Sequence, residues 1–204
     1  MENVNYQRVL DAAIDKIKQE KTTPSLMLHC CCAPCSSYVL EYLSPFFKIT
    51  VLYYNPNIYP FEEFYKRATE QKKLIAAYNQ FVVNKIDYIE GEYNPEVFYK
   101  MAEGMEQLKE GGRRCCKCYE LRLRETARIA KLKSFDFFTT TLTISPLKNS
   151  GKINEIGEAI SEEFGVNYLF SDFKKKEGFK RSIELSKTYN LYRQNYCGCE
   201  FSQS

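Results

Sequence analysis

The chain of 204 residues is predicted to fold as an α/β domain: a single parallel five-stranded sheet with helices on both faces, preceded by an extra N-terminal helix. Three observations lead there. Short apolar runs of strand length alternate with stretches of helical periodicity, the pattern a covered parallel sheet requires. Hydrophobic residues make up 44% and charged residues 27%, as in an ordinary globular protein, which excludes disorder as the main state. The longest apolar runs, such as Ile49 to Tyr54, fall far short of the roughly 18 residues of a membrane span.

The elements follow in order. Val4, Val9, Leu10, Ala13, Ile14 and Ile17 give residues 3–20 a helical stripe, stopped by Thr22-Thr23-Pro24. Residues 1–24 therefore read as a helical appendage to an α/β catalytic domain over 25–204. Ser25 to His29 reads as a buried strand leading into the loop CCCAPC, and Ser36 to Leu43 as a helix ending near Pro45. Phe47 to Tyr54 is a second strand, closed by Asn55-Pro56-Asn57. Helices are expected over Phe61–Tyr78 and Pro95–Leu108, with a strand over Phe81–Ile89 between them. After Gly111-Gly112, Arg114 to Lys133 forms a long helix with Tyr119, Leu123, Thr126, Ala127 and Ala130 as its buried stripe. Phe135–Thr141 and Val166–Phe170 are the last strands, flanking a helix over Lys152–Phe164. A helix from Gly178 to Tyr189 and an irregular cysteine tail complete the chain. In such sheets the site lies at the carboxyl ends of the strands. The first cysteines sit there, directly after the first strand.

Nine cysteines fall in three clusters: Cys30, Cys31, Cys32 and Cys35; Cys115, Cys116 and Cys118; Cys197 and Cys199. The odd count and the chain length argue against a disulfide framework, and the clustering points to metal or redox chemistry. Cys115-x-x-Cys118 opens the long helix, where free N–H groups and the adjacent Arg113 and Arg114 favour thiolates. An iron–sulfur cluster takes four cysteines and structural zinc four cysteine or histidine ligands. Seven well-spaced thiols exceed either need, which leaves a cluster plus a second metal, or a cluster plus a reactive thiol pair. Cys32-Ala-Pro-Cys35 also matches a thioredoxin-type motif between a strand and a helix, but that reading has no use for the other two clusters. A nucleotide-binding sulfurtransferase would need a glycine-rich phosphate loop after the first strand, and residues 29–37 contain no glycine. A zinc-stabilised RNA-binding protein is a further alternative. His29, the single histidine, is either a satisfied residue at a strand end or a proton donor beside the thiols.

The net charge of +3 is unevenly placed. Residues 113–133 carry eight basic residues against Glu120 and Glu125, and residues 172–187 six against three acidic ones. Two basic segments on an otherwise acidic chain suggest an anionic partner. The charged start, MENVNYQRVLDAAIDK, lacks the apolar run of an export signal, so a cytoplasmic protein without membrane attachment is expected.

Five ordered blocks, LHCCCAPCSS (28–37), YYNPNIYP (53–60), RCCKCYELRLRETA (114–127), TTLTISPLKN (140–149) and LYRQNYCGC (191–199), resemble the cobalamin-independent epoxyqueuosine reductase family. The resemblance runs from about Ser25 to Cys199. It implies a Rossmann-related sheet of the adenine-nucleotide α-hydrolase-like kind. It implies reduction of epoxyqueuosine to queuosine at the wobble base of tRNAs with GUN anticodons, supported by an electron donor the sequence does not identify. It also implies a 4Fe-4S cluster beside a second, mononuclear metal, expected to be iron. Cys32, Cys115 and Cys118 are assigned to the cluster with one of Cys197 and Cys199, and Cys31 and Cys35 to the second metal with the other. Relatives often carry aspartate at the position of Cys35, an exchange between two anionic metal ligands. Cys30 and Cys116 are left as bystanders. Cys31, Cys35 and His29 are the expected catalytic groups. Tyr119, Arg122, Asn149, Asp172, Arg193 and Gln194 are candidate contacts to the modified base or its phosphates, and Arg114, Lys117 and Arg122 are expected to face the bound anticodon stem-loop.

Overall fold

The computed structural model describes residues 4–202. Its strands are β1 (Ser25–His29), β2 (Lys48–Tyr53), β3 (Asp87–Glu90), β4 (Phe137–Thr140) and β5 (Asn167–Tyr168). Its helices are α1 (Tyr6–Glu20), α2 (Ala33–Leu43), α3 (Phe61–Tyr78), α4 (Pro95–Ala102), α5 (Arg113–Leu132), α6 (Ser150–Phe164) and α7 (Gly178–Thr188). All strand pairs are parallel, in the order β3-β2-β1-β4-β5, giving the expected single sheet in a Rossmann-like arrangement.

Alternation along the strands sorts the core into two layers. Leu26, Leu28, Ile49 and Val51 face α2, α3 and α7. Met27, Leu52 and Phe138 face α5 and α6. Leu10, Ile14 and Ile17 of α1 are buried in the first layer, and the Asn5 side chain caps that helix by accepting from Arg8 N at 3.2 Å. The sequence stripe began at Asn3, which lies outside the described residues.

Two elements fall furthest short of their sequence patterns, while β4 and β5 are trimmed by a few residues. The expected strand over Phe81–Ile89 pairs only over Asp87–Glu90. The Asn79 side chain holds both Ile86 N (2.8 Å) and Ile86 O (2.9 Å), and Asn84 donates to Ser44 O, so residues 79–86 fold as a loop. Phe81 and Val83 are consequently exposed. The helix expected to Leu108 stops at Ala102, beyond which Gly104 adopts a φ of +73°.

The order of strands places a switch point between β1 and β4. The chain leaves β1 toward β2 on one side, and β4 toward β5 on the other, so their following loops diverge and open a crevice.

Candidate metal centre

The loop after β1 is fixed by backbone bonding. Cys30 N donates to Leu52 O (3.0 Å), and Asn55 Nδ2 donates to Cys30 O (2.9 Å). Cys32 is the N-cap of α2, with Pro34 in the first turn. This geometry brings the Cys31, Cys32 and Cys35 sulfurs within 4.8 Å of one another, and Cys31 Sγ lies 3.9 Å from Cys32 Sγ. Two thiolates bound tetrahedrally to one metal at the usual bond length lie roughly 3.8 Å apart, so the trio fits a mononuclear ion. Hydrogen bonds from Cys31 and Cys35 hold the Cys32 thiol well below its ordinary range, and bonds to Cys31 and then Cys32 raise Cys35.

The second group is assembled from distant segments. Cys115 and Cys118, one turn apart on α5, share a face, and Gly111 N donates to Cys115 Sγ at 3.3 Å. With Cys197 and Cys199 of the tail they line one small cavity. Burial pushes the Cys118 thiol up to about 12, and raises Cys115 and Cys199 as well. Thiols buried like this ionise when a cation binds, which is how metal sites couple to proton release. Four thiols lining one cavity are the donor set an iron–sulfur cluster takes. Cys197 also lines the neighbouring cleft with Cys31 and Cys35, so the two thiol groups adjoin. Cys30 is buried among apolar side chains, and Cys116 sits half-buried beside the cavity-lining cysteines without lining the cavity itself.

The tail is docked by α3. Arg67 Nη1 donates to Cys197 O (3.1 Å) while its Nε pairs with Glu63 (2.6 Å). Glu63 also accepts from the Tyr192 hydroxyl at 3.1 Å, and Tyr59 N donates to Gly198 O at 2.8 Å. Gly198 has a φ of +124°, and a Cβ there would stand 3.0 Å from Arg67 Nη1, so the CGC turn requires glycine.

Several sequence-predicted residues lie elsewhere than expected. His29 is fully buried, with Nδ1 at 2.9 Å from the Thr140 hydroxyl and Nε2 at 3.1 Å from Tyr54 O. The carbonyl can only accept, so Nε2 carries the proton and Nδ1 accepts from Thr140. Burial, then Arg122, lowers its pKa to about 4. Both nitrogens are committed to the sheet, so the histidine is not available as a proton donor. Tyr119 is buried beneath the cavity rather than presented for stacking. Asn149 caps α6 by accepting from Lys152 N (3.0 Å), and Asp172 pairs with Lys174 at 2.8 Å; both border a separate hollow beside the start of α1. Arg193 and Gln194 do line the cleft, and Gln194 Oε1 is buried there without a partner.

The basic residues of α5 are not all on its surface. Arg114 is buried, donating to the carbonyls of Met105, Glu106 and Leu108. Arg122 is buried against the thiol cavity; its Nε donates to Cys118 O (3.2 Å) and its Nη2 has no partner. Lys117, Arg124 and Arg128 on the outer face pair with Glu120, Glu163 and Glu125. Part of the charge excess is thus buried beside the thiols and part is paired on the surface.

Lys148 and Glu110, which sequence reasoning missed, also line the cleft. Lys148 follows β4, and the switch-point rule applied to both sides of the crevice would have found it.

The family model of epoxyqueuosine reductase QueH matches residues 26–204. An epoxyqueuosine reductase QueH of Streptococcus pyogenes is 40% identical over 98% of this chain and 79% of its own length. That of Staphylococcus epidermidis is 41% identical over 98% of this chain and 85% of its own. A Thermotoga maritima relative of the same name is 36% identical over 87% of this chain and 90% of its own.

Proposed function

The chain belongs to the epoxyqueuosine reductase QueH family and is an oxidoreductase, and from that premise we propose that residues 25–204 reduce epoxyqueuosine to queuosine at the wobble position of GUN-anticodon tRNAs in the cytoplasm. The observation that carries the reading is the convergence of Cys31, Cys32 and Cys35, the first and last of which line an open cleft that adjoins a four-thiol cavity.

In this reading Cys115, Cys118, Cys197 and Cys199 hold a 4Fe-4S cluster, and Cys31, Cys32 and Cys35 a mononuclear metal, iron. The division moves Cys32 and one tail cysteine relative to the sequence expectation. It is supported by the 3.9 Å separation of Cys31 and Cys32 and by the absence of Cys32 from the cavity lining. When bound, the cluster supplies electrons singly and the neighbouring metal a Lewis acid for the epoxide oxygen. The protein's own residues do the rest. Arg67 and Arg122 place buried positive charge beside the thiols. The buried, unpartnered Gln194 Oε1 is suited to accept a hydrogen bond from the modified base. A base must leave the stack to enter the cleft, and anticodon loops are the part of RNA whose bases can be splayed out and read this way. A thiol–disulfide mechanism would need two thiols where three converge.

The test is anaerobic purification followed by metal and sulfide analysis and turnover. A brown protein with more iron than sulfide, which converts epoxyqueuosine-containing tRNA to queuosine-containing tRNA with a chemical reductant, is the expected result. A colourless zinc protein that binds tRNA without reducing it would overturn the reading.

A further inference from the structure

Lys148 is held where few lysines are: in the wall of the cleft, facing the thiols, without an acidic partner. It ends the turn that follows β4, with Lys148 N donating to Ser145 O (3.2 Å) and Leu147 N to Ser145 Oγ (3.3 Å). The next residue, Asn149, is the N-cap of α6, so the backbone at this point is pinned on both sides. β4 is hydrogen-bonded to β1 with Thr140 opposite His29, which sets Lys148 across the crevice from the Cys31–Cys35 loop. Among the described residues its ammonium makes no ion pair and no hydrogen bond, although it shares the cleft with Cys31, Cys35, Cys197 and Glu110. The other cation of the cleft is already engaged: Arg193 Nη1 donates to Ser186 Oγ (3.0 Å) and its guanidinium lies over the Phe179 ring. The N–H donors of Lys148 are therefore free for a ligand that enters the cleft.

We propose that Lys148 is a catalytic residue whose ammonium donates a hydrogen bond to the substrate oxygen as that oxygen leaves carbon. The inference rests on the epoxide-reduction reading above. In that reaction two C–O bonds of the epoxide break, one C=C bond forms, two electrons enter from the reductant, and two protons convert the oxygen to water. Negative charge gathers on the oxygen as the first C–O bond opens, and a fixed ammonium stabilises it more than it stabilises the neutral epoxide. The alternative use of such a cation, a phosphate of the tRNA, would place it at the rim rather than in the cleft that the cysteines line.

The experiment compares wild type, Lys148→Met and Lys148→Arg as metal-loaded proteins. It measures single-turnover reduction of epoxyqueuosine-containing tRNA, tRNA affinity against salt without reductant, and metal content. The expected result is that Lys148→Met slows reduction at saturating tRNA about 10²-fold, the usual cost of one oxyanion donor. Affinity, salt slope and metal content stay as in wild type, and Lys148→Arg recovers part of the rate. An unchanged rate overturns the proposal. So does weaker binding with a salt slope reduced by about one and a normal saturated rate, which identifies a phosphate contact. Metal loss in both variants also overturns it, since the lysine would then be supporting the thiols. If wild type itself reduces no epoxide, the failure belongs to the underlying reading and not to Lys148.

Discussion

The two thiol groups lie side by side and are built in opposite ways. Cys31, Cys32 and Cys35 come from one strand-to-helix loop whose backbone is pinned by β2 and Asn55. Their spacing is a local consequence of β1 ending and α2 beginning. The four-thiol cavity draws on the start of α5 and on a tail some eighty residues later, joined through Arg67, Glu63, Tyr59 and Gly198. The first group takes its three thiols from the end of β1 and the start of α2, whereas the second takes two of its four from a docked tail. A metal at the first site should therefore survive changes that empty the second.

The largest effect tests that asymmetry directly. Cys118→Ser removes a buried thiol from the assembled cavity, and a hydroxyl is a poor cluster ligand. Loss of all sulfide and of reductase activity is expected, with one metal equivalent kept by the Cys31 group. Cys116→Ser, which leaves the cavity lining intact, should retain both. Sulfide and metal quantification on the same preparations distinguishes them, and full sulfide content in Cys118→Ser would show that the cavity is not the cluster site.

The converse substitution sharpens the comparison. Cys35→Ala should lose the second metal and the activity but keep the sulfide. Cys35→Asp supplies another anionic ligand and should retain the metal and much of the rate. A dithiol mechanism requires the aspartate variant to be dead with its cluster intact, and that outcome would decide against metal ligation.

A smaller, graded effect is expected where the tail is held. Arg67→Ala leaves Glu63 buried without its cation, a loss of about 3–5 kcal/mol for a buried pair. Gly198→Ala must take a strained φ and press on Arg67, at about 1–3 kcal/mol. Both should expose the tail to protease and lower sulfide content, Arg67→Ala more than Gly198→Ala, while the metal at Cys31, Cys32 and Cys35 stays. Equal loss from both sites would mean that the tail supports them jointly.

The same contrast explains what was legible in the sequence. The sheet, the order of its elements along the chain and the three groups of cysteines follow from periodicity and clustering, because strands, helices and metal ligands each impose local spacing. Phe81 and Val83 looked like strand residues, and nothing local announced that Asn79 would fold their segment away through Ile86. Arg114 and Arg122 read as surface charge because a buried arginine is recognisable only by its partners. Those are the carbonyls of residues 105–108 for one and the thiol cavity for the other. The Arg67–Glu63 clamp depends on contacts between distant segments and left no mark in the spacing, whereas Lys148 lay within reach of the switch-point rule.

The opposite end of the sheet supplies the smallest prediction and the control for the rest. There Asp136 accepts from Ser25 N (2.8 Å) and Ser25 Oγ (2.7 Å), tying β4 to β1 far from the thiols. These bonds, the backbone one foremost, lower the Asp136 pKa in the folded chain. A depressed folded pKa means that the carboxylate contributes stability above its unfolded value, near 4, and loses that contribution as pH falls through the folded value. The site is exposed, so water screens it and the contribution should be only about 1 kcal/mol. Asp136→Asn is expected to lower stability by that amount from pH 5 upward, with the gap closing toward pH 2–3 in denaturant titrations. Metal content and turnover should match wild type. A gap that persists undiminished at pH 2 would show that Asp136 acts through packing rather than charge. A fall in turnover would show that the two ends of the β1–β4 pair are coupled, and that the carboxyl-end crevice is not the self-contained unit its local bonding describes.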